Sequence, residues 1–166
     1  MRLILLNGPP GCGKSTLARR YADARPMTLD LDVDRVRDLI GAWPTDPANG
    51  GILARRIALA AAEVHLASGH EVVVPQFLGR LPFVLGLEAL ARSAGVPFVE
   101  VALVETRAGA LRRFVPRPGP AVTQAEVGEM YDRLQTVIAA RPATRLVPSI
   151  EGDPDATYAS LLAAIG

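Results

Sequence analysis

Residues Gly8-Pro9-Pro10-Gly11-Cys12-Gly13-Lys14-Ser15 spell G-x-x-x-x-G-K-S/T, and no other feature of the chain narrows its possible folds so far. The spacing is that of a phosphate-binding loop, which needs a strand ahead of it and a helix behind it. Leu3-Ile4-Leu5-Leu6 is a short apolar run of the kind buried on both faces of a parallel sheet. Ser15 to Ala22 reads as a helix with Leu17, Ala18 and Tyr21 on one side. In that arrangement backbone N–H groups converge on an anion, and the helix N-terminus adds partial positive charge. Glycines at 8, 11 and 13 permit positive φ and close backbone approach. Of the 18 lysines and arginines, Lys14 alone is lysine. Arginine's planar fork suits a cradle of N–H groups poorly, whereas a compact ammonium can bridge β- and γ-phosphate oxygens. Gly8, Pro10, Gly11, Cys12, Gly13, Lys14, Ser15 and Thr16 are therefore expected to hold a nucleoside triphosphate, with the Ser15 hydroxyl offered to Mg²⁺.

Composition sets the limits around this motif. At 166 residues the chain is expected to form one domain over 1–166. A net charge of +1 argues against a global basic field for nucleic acid. One cysteine excludes an internal disulfide. Cys12 lies in the loop, where its backbone N–H is what matters, although a thiol near a helix N-terminus can also be reactive. The apolar start is too short for a signal peptide and runs straight into the loop. No apolar run approaches the ~20 residues of a membrane span. The expected location is the cytoplasm, with no membrane partner.

Along the chain, strands are expected at Met27–Leu31, Glu71–Pro75, Phe98–Val104 and Arg145–Pro148. Helices are expected at Asp34–Ile40, Ile52–Ala67, Pro82–Ser93, Thr106–Phe114, Thr123–Ala140 and after Asp153-Pro154. Gly41–Gly51, rich in proline and glycine, reads as a loop, as does Pro116–Pro120. Thr123 and Glu126 have capping-box spacing. Asp153 suits an N-cap with Pro154 at the first helical position. Alternating strands and helices predict an α/β fold with a parallel sheet and right-handed crossovers. Ligands of such sheets bind beyond the C-terminal strand ends.

Candidate groups are therefore expected after each strand. Asp30, Asp32 and Asp34 alternate after the second strand and share one face in extended geometry. Asp34 is the candidate for orienting and deprotonating an acceptor hydroxyl. Asp32 is the candidate for holding a magnesium-bound water. Arg37 suits an anionic acceptor group or Asp34 itself. The same residues also suit a helix cap with charge pairing along a surface helix. Asp30 is read as structural or solvated. After the third strand the chain has Pro75-Gln76 where an acid would help a metal, and Gln76 and Arg80 are candidate acceptor ligands. After the fourth come Arg107, Arg112, Arg113 and Arg117. Arg113 and Arg117, beside a lid at about 112–122, are candidates for neutralising charge that develops in transfer. Trp43 can pack on the core or on an acceptor.

With these residues in view, the chain resembles the small phosphate-loop kinases. It is most similar to zeta-toxin-like kinases, chloramphenicol phosphotransferase-like enzymes and polynucleotide-kinase-like AAA ATPase domains. The likeness rests on Gly8 to Thr16, on Asp34-Arg35-Val36-Arg37 as a D-x-x-R feature, and on Arg113 and Arg117 in the lid region. Asp32 and Asp34 have the D-x-D look of shikimate-kinase-like and gluconate-kinase-like enzymes. The resemblance implies a P-loop NTPase three-layer sandwich, with a five-stranded parallel sheet of order 2-3-1-4-5. It implies Mg-ATP as donor and Asp34 as base. It implies also that Arg113 or a neighbour packs on the nucleotide base, with Val147–Gly152 bordering the purine. A guanine-reading N-K-x-D motif is impossible with Lys14 as the only lysine, which favours ATP over GTP.

The expected activity is ATP-dependent transfer of a phosphoryl group to a hydroxyl of a metabolite, nucleoside or antibiotic. Two other readings stand beside it. One is a nucleotide-switched ATPase or binding module acting on protein or RNA. The other is a polynucleotide 5′-hydroxyl kinase, which the near-neutral charge disfavours.

Overall fold

The computed structural model describes residues 1–114 and 122–166. Arg117 and most of the expected lid lie outside the described residues. Five strands form one parallel sheet: β1 (Leu3–Asn7), β2 (Leu29–Asp30), β3 (Val72–Pro75), β4 (Phe98–Val104) and β5 (Arg145–Pro148). Their spatial order is β2-β3-β1-β4-β5, as the family resemblance implied. In register, Leu3 faces Val72 on one side and Phe98 on the other.

Side chains alternate across β1 because a strand has a period of two. Leu3 and Leu5 enter a core beneath three helices: α2 (Val33–Asp38), α3 (Pro47–Ala67) and α4 (Leu81–Ser93). Ile4 and Leu6 enter the opposite core, with Leu17, Ala18 and Tyr21 of α1 (Lys14–Asp23) and Leu161 and Ile165 of α7 (Pro154–Ile165). Helices thus cover both faces, and the fold is the three-layer P-loop sandwich. The fourth strand leads into α5 (Arg107–Arg113), and α6 (Gln124–Ala139) opens with the capping box predicted at Thr123 and Glu126.

Two sequence expectations need correction. The 41–51 loop is shorter than expected. A 3₁₀ turn at Trp43–Thr45 leads directly into α3, which begins at Pro47 with Asp46 as N-cap. Asp46 Oδ1 accepts from the Asn49 N–H at 3.2 Å, and Pro47 stands where its missing N–H costs nothing. The buried side of α3 is made chiefly of small residues. Ala54, Ala58, Ala62 and Leu66 pack in the core with β1 and β3, and Gly50 lies against Trp43, while Ile52 and Ile57 lie exposed. The second strand is likewise cut to two residues: Met27 takes a left-handed φ of 63° ahead of it, and Asp32 already caps α2 just beyond it. Among the described residues, no helix is long and apolar enough to cross a membrane.

Candidate active site

The loop between β1 and α1 has its three glycines in the positive-φ region: Gly8 at 155°, Gly11 at 82° and Gly13 at 89°. Sterics enforce two of these beyond the dihedral. A Cβ on Gly8 would come within 2.7 Å of Cys12 Sγ. One on Gly11 would collide with the backbone carbonyl of Arg113. Gly13 serves as N-cap of α1 with no side-chain bond to the first turn, so the helix N-terminus stays open to an anion. The Lys14 ammonium donates to the Pro9 carbonyl at 2.7 Å and lies 3.8 Å from Cys12 Sγ. It therefore rests on the loop it belongs to. Cys12 is buried in the α1-side core, and burial pushes its thiol pKa up, with the Lys14 charge opposing. That environment makes it a packing group and not a reactive thiol.

Asn7, the last residue of β1, braces the loop. It is buried, and its Oδ1 accepts from the N–H groups of Gly8 (2.8 Å) and Leu78 (2.9 Å). Its Nδ2 donates to the Leu78 carbonyl at 3.1 Å. One amide thus locks the entrance of the phosphate loop to the segment after β3. Gln76 lies alongside, its N–H bonded to the Leu6 carbonyl at 3.1 Å. The side-chain Oε1 of Gln76 is buried with no hydrogen-bond partner among the described residues. Arg80 is exposed at the start of α4.

The acids after β2 separate into three roles in the geometry. Asp32 is 6 % exposed and uses both carboxylate oxygens. Oδ2 accepts from the Ser15 hydroxyl at 3.1 Å, and Oδ1 accepts from the Asp34 N–H at 3.0 Å as the N-cap of α2. Asp34 stands in the first turn of α2, and its Oδ1 accepts from Arg37 Nη1 at 3.1 Å. The Arg37 guanidinium stacks over the Trp43 ring, 4.1 Å from its centroid. The helix cap and charge pairing that the sequence left open are therefore both present, and they join the acids to the phosphate loop. Asp30 is not solvated. Its side chain is 5 % exposed, with Arg35 3.9 Å away, and burial raises its carboxyl pKa.

On the other side of the loop, Arg113 Nη1 donates to Ser149 Oγ at 2.7 Å and to Glu105 Oε2 at 3.3 Å. Ser149 Oγ in turn donates to the Cys12 carbonyl at 3.1 Å. The Arg113 backbone also packs on Gly11. The α5 end, the phosphate loop and the segment after β5 are thus one unit. Burial raises the Glu105 carboxyl pKa, and the Arg113 guanidinium partly offsets it. Asn7 and Glu105 are not among the residues expected from sequence, and Ser149 is expected only as part of the segment Val147–Gly152. Each carried a signal, because each is a polar residue at or just beyond a strand's C-terminal end.

Magnesium is implied by the fold, and the donors present suit it. Ser15 Oγ and Asp32 Oδ2 are hard oxygens held together at the start of α1, and Mg²⁺ in such sites keeps several waters and takes few protein ligands. Among the described residues no group of three or more His, Cys, Asp or Glu gathers as a metal site, so any ion there depends on Ser15, Asp32, water and phosphate.

A buried parallel sheet, a glycine loop with its single ammonium, and acids that follow β2 and reach that loop through Ser15 together define a phosphate-loop NTPase. Residues 3–137 match the AAA domain family (AAA_33), and the chain belongs to that family. Among solved structures it is similar to a gluconokinase from Sinorhizobium meliloti 1021. That likeness has a TM-score of 0.68 at 18% identity, over 99% of this chain and 91% of the other. It is also similar to the tunicamycin resistance protein of Deinococcus radiodurans, with a TM-score of 0.70 at 18% identity, over 99% and 95% of the two chains. No curated protein matches by sequence.

Proposed function

We propose that the chain is an ATP-dependent phosphotransferase that phosphorylates a hydroxyl of a small molecule. The observation that carries this reading is the Asp32 carboxylate, which grips the phosphate-loop helix through Ser15 and caps the helix of Asp34. Donor loop and candidate base are therefore joined through one carboxylate. In the proposed transfer, Gly8 to Thr16 hold the ATP phosphates and Lys14 leaves the Pro9 carbonyl for their oxygens. The acceptor oxygen bonds to the γ-phosphorus as the bond to the β–γ bridging oxygen breaks, and ADP leaves. Asp34 accepts the hydroxyl proton, and Arg37 fixes the carboxylate's direction. Mg²⁺ bound by Ser15, through water to Asp32, would neutralise phosphate charge. Gln76, whose buried Oε1 lacks a partner among the described residues, and Arg80 are proposed to meet the acceptor. Arg113 is proposed to border the nucleoside together with Ser149, and Arg117 to join it over the phosphates.

The gluconokinase and the tunicamycin resistance protein support the reading at the level of fold. The absence of an acid after β3, where Gln76 stands, favours a second reading, a nucleotide-switched ATPase stimulated by a partner.

The test is a screen of hydroxylated metabolites, nucleosides and antibiotics with Mg-ATP, read by ADP release and product mass. Lys14→Ala is expected to abolish turnover. Asp34→Asn is expected to keep ATP binding and lose about 10²–10⁴-fold in transfer. Full transfer by Asp34→Asn would put the base elsewhere. Hydrolysis that ignores every acceptor and rises with a macromolecule would favour the switch.

A further inference from the structure

A cavity of about 360 Å³ opens between the 3₁₀ turn and the first turns of α3. That size falls within the usual range for small-molecule sites. Its wall is built from Ile40, Ala42, Trp43, Ile52 and Leu53. Ile52 and Leu53 are two of the chain's exposed large apolar residues, and their exposure has a use if a ligand covers them.

The site is built, not incidental. Trp43 is pinned on two sides. Gly50 lies beneath it, where an added Cβ would stand only 3.2 Å from the Trp43 Cβ. The Arg37 guanidinium covers its ring. The turn that presents Trp43 begins at Ala42, held in the left-handed region at φ 51°, a conformation that costs a non-glycine residue energy and concentrates at functional sites. Arg37 links the cavity to the candidate base, pairing with Asp34 at 3.1 Å and stacking on the cavity's own tryptophan.

The polar side chains of the lining are largely committed: Thr45 Oγ1 donates to the Ala42 carbonyl at 2.8 Å. Asp46 and Asn49 are bonded to each other at 2.6 Å, and Asp46 also caps α3. Arg56 remains as the cation of the lining. A sugar acid or polyol would need a donor or acceptor for nearly every hydroxyl, and each one left without a partner on burial is costly. This wall has the Trp43 side chain and aliphatic side chains instead, which suit a flat apolar body.

We propose that the acceptor is an alcohol carrying an aromatic or similarly flat apolar body, which lies against Trp43, Ile52 and Leu53 while its hydroxyl reaches Asp34. This rests on the phosphotransferase reading above and narrows its substrate class.

Trp43 is the chain's only tryptophan, so its fluorescence reports the cavity directly. The probes are phenyl- and naphthyl-substituted alcohols on one side, and sorbitol and D-gluconate on the other. The full chain is titrated with each, then assayed with Mg-ATP by product mass. The aromatic alcohols are expected to change Trp43 emission saturably at about millimolar concentration or below and to be phosphorylated. Leu53→Glu, at an exposed position that tolerates charge, is expected to raise their KM tenfold or more while the KM for ATP moves less than twofold. Saturable binding and phosphorylation of sorbitol or gluconate with no response to the aromatic alcohols would overturn the proposal, as would an acceptor KM that ignores Leu53→Glu. Calorimetry with Mg-ATP separates the two levels. ATP binding without any aromatic response sinks the substrate class alone, and no ATP binding sinks the phosphotransferase reading and this proposal with it.

Discussion

Arg113 donates from one nitrogen to both Glu105 and Ser149, so its removal strands a carboxylate that is 6 % exposed. Arg113→Ala is expected to destabilise the fold by about 1–3 kcal/mol, the cost of leaving a buried polar group without its partner. Because burial already raises the Glu105 pKa and Arg113 opposes it, adding Glu105→Gln removes the uncompensated charge. The double variant is expected to recover at least half of the loss in urea denaturation. Strict additivity of the two single variants would show that the pair is not coupled. This contact shows how far single residues can be read from sequence. Arg113 stood out because it flanks a proline-rich loop. Glu105, one residue past β4, did not, because a lone acid after a strand looks like a solvated loop residue until its partner is placed. Asn7 was hidden differently. A polar residue closing an apolar run reads as the end of burial, whereas its amide is buried and replaces the sheet's missing hydrogen bonds. The cluster of Asp32, Asp34 and Arg37 was legible because spacing alone puts those groups beside the loop. Their bonding to Ser15 and Trp43 depends on the crossover between β1 and β2, which no local pattern encodes.

Elements were legible where their ends carry capping chemistry and their faces carry large apolar groups. The strand β5 and the starts of α6 and α7 have such signals, and they lie where Arg145, Thr123 and Asp153 put them. The start of α3 was missed because Pro47, Gly50 and Gly51 together look like a loop. Asp46 and Pro47 are nonetheless a sound helix start, and Gly50 is small because Trp43 sits on it. The face that α3 buries is not marked by large apolar groups. Its buried seam is made of the smallest side chains, with Ala54, Ala58 and Ala62 fully buried. A small-residue seam holds the helix close to its neighbours, where extra volume has nowhere to go. Ala58→Leu is therefore expected to cost about 1–3 kcal/mol by overpacking. Ala60→Leu, on the exposed side of the same helix, is expected to stay within about 0.5 kcal/mol. Denaturation midpoints of the two variants check this, and equal midpoints would mean that α3 packs by another face.

At the scale of the whole molecule the two ends of the sheet have different work. The C-terminal strand ends carry the phosphate loop, the acids and the Arg113 unit. The opposite end is a clamp, in which Glu71, just ahead of β3, accepts from Tyr21 Oη at 2.8 Å and from Arg2 Nε at 3.0 Å. Tyr21 is 1 % exposed and stacks under Arg25. Burial, and then the hydrogen bond and charge of Glu71, push its phenol up to about 12 from an ordinary 10.0. The sign of the resulting pH dependence follows. Below pH 10 the phenol keeps its proton in both states, and this contribution to stability is complete. Between about 10 and 12 the unfolded chain loses the proton while the folded one keeps it, so stability falls as pH rises through that window. Tyr21→Phe has no phenol to ionise. It is expected to be less stable than the parent at pH 8, through the lost hydrogen bond, and to close that gap as pH rises above 10. Urea titrations of both chains at pH 8, 10 and 11.5 measure the difference, and parallel pH profiles would overturn the assignment. If the two ends are as independent as their separate bonding suggests, Mg-ATP affinity at pH 8 will be the same in Tyr21→Phe as in the parent.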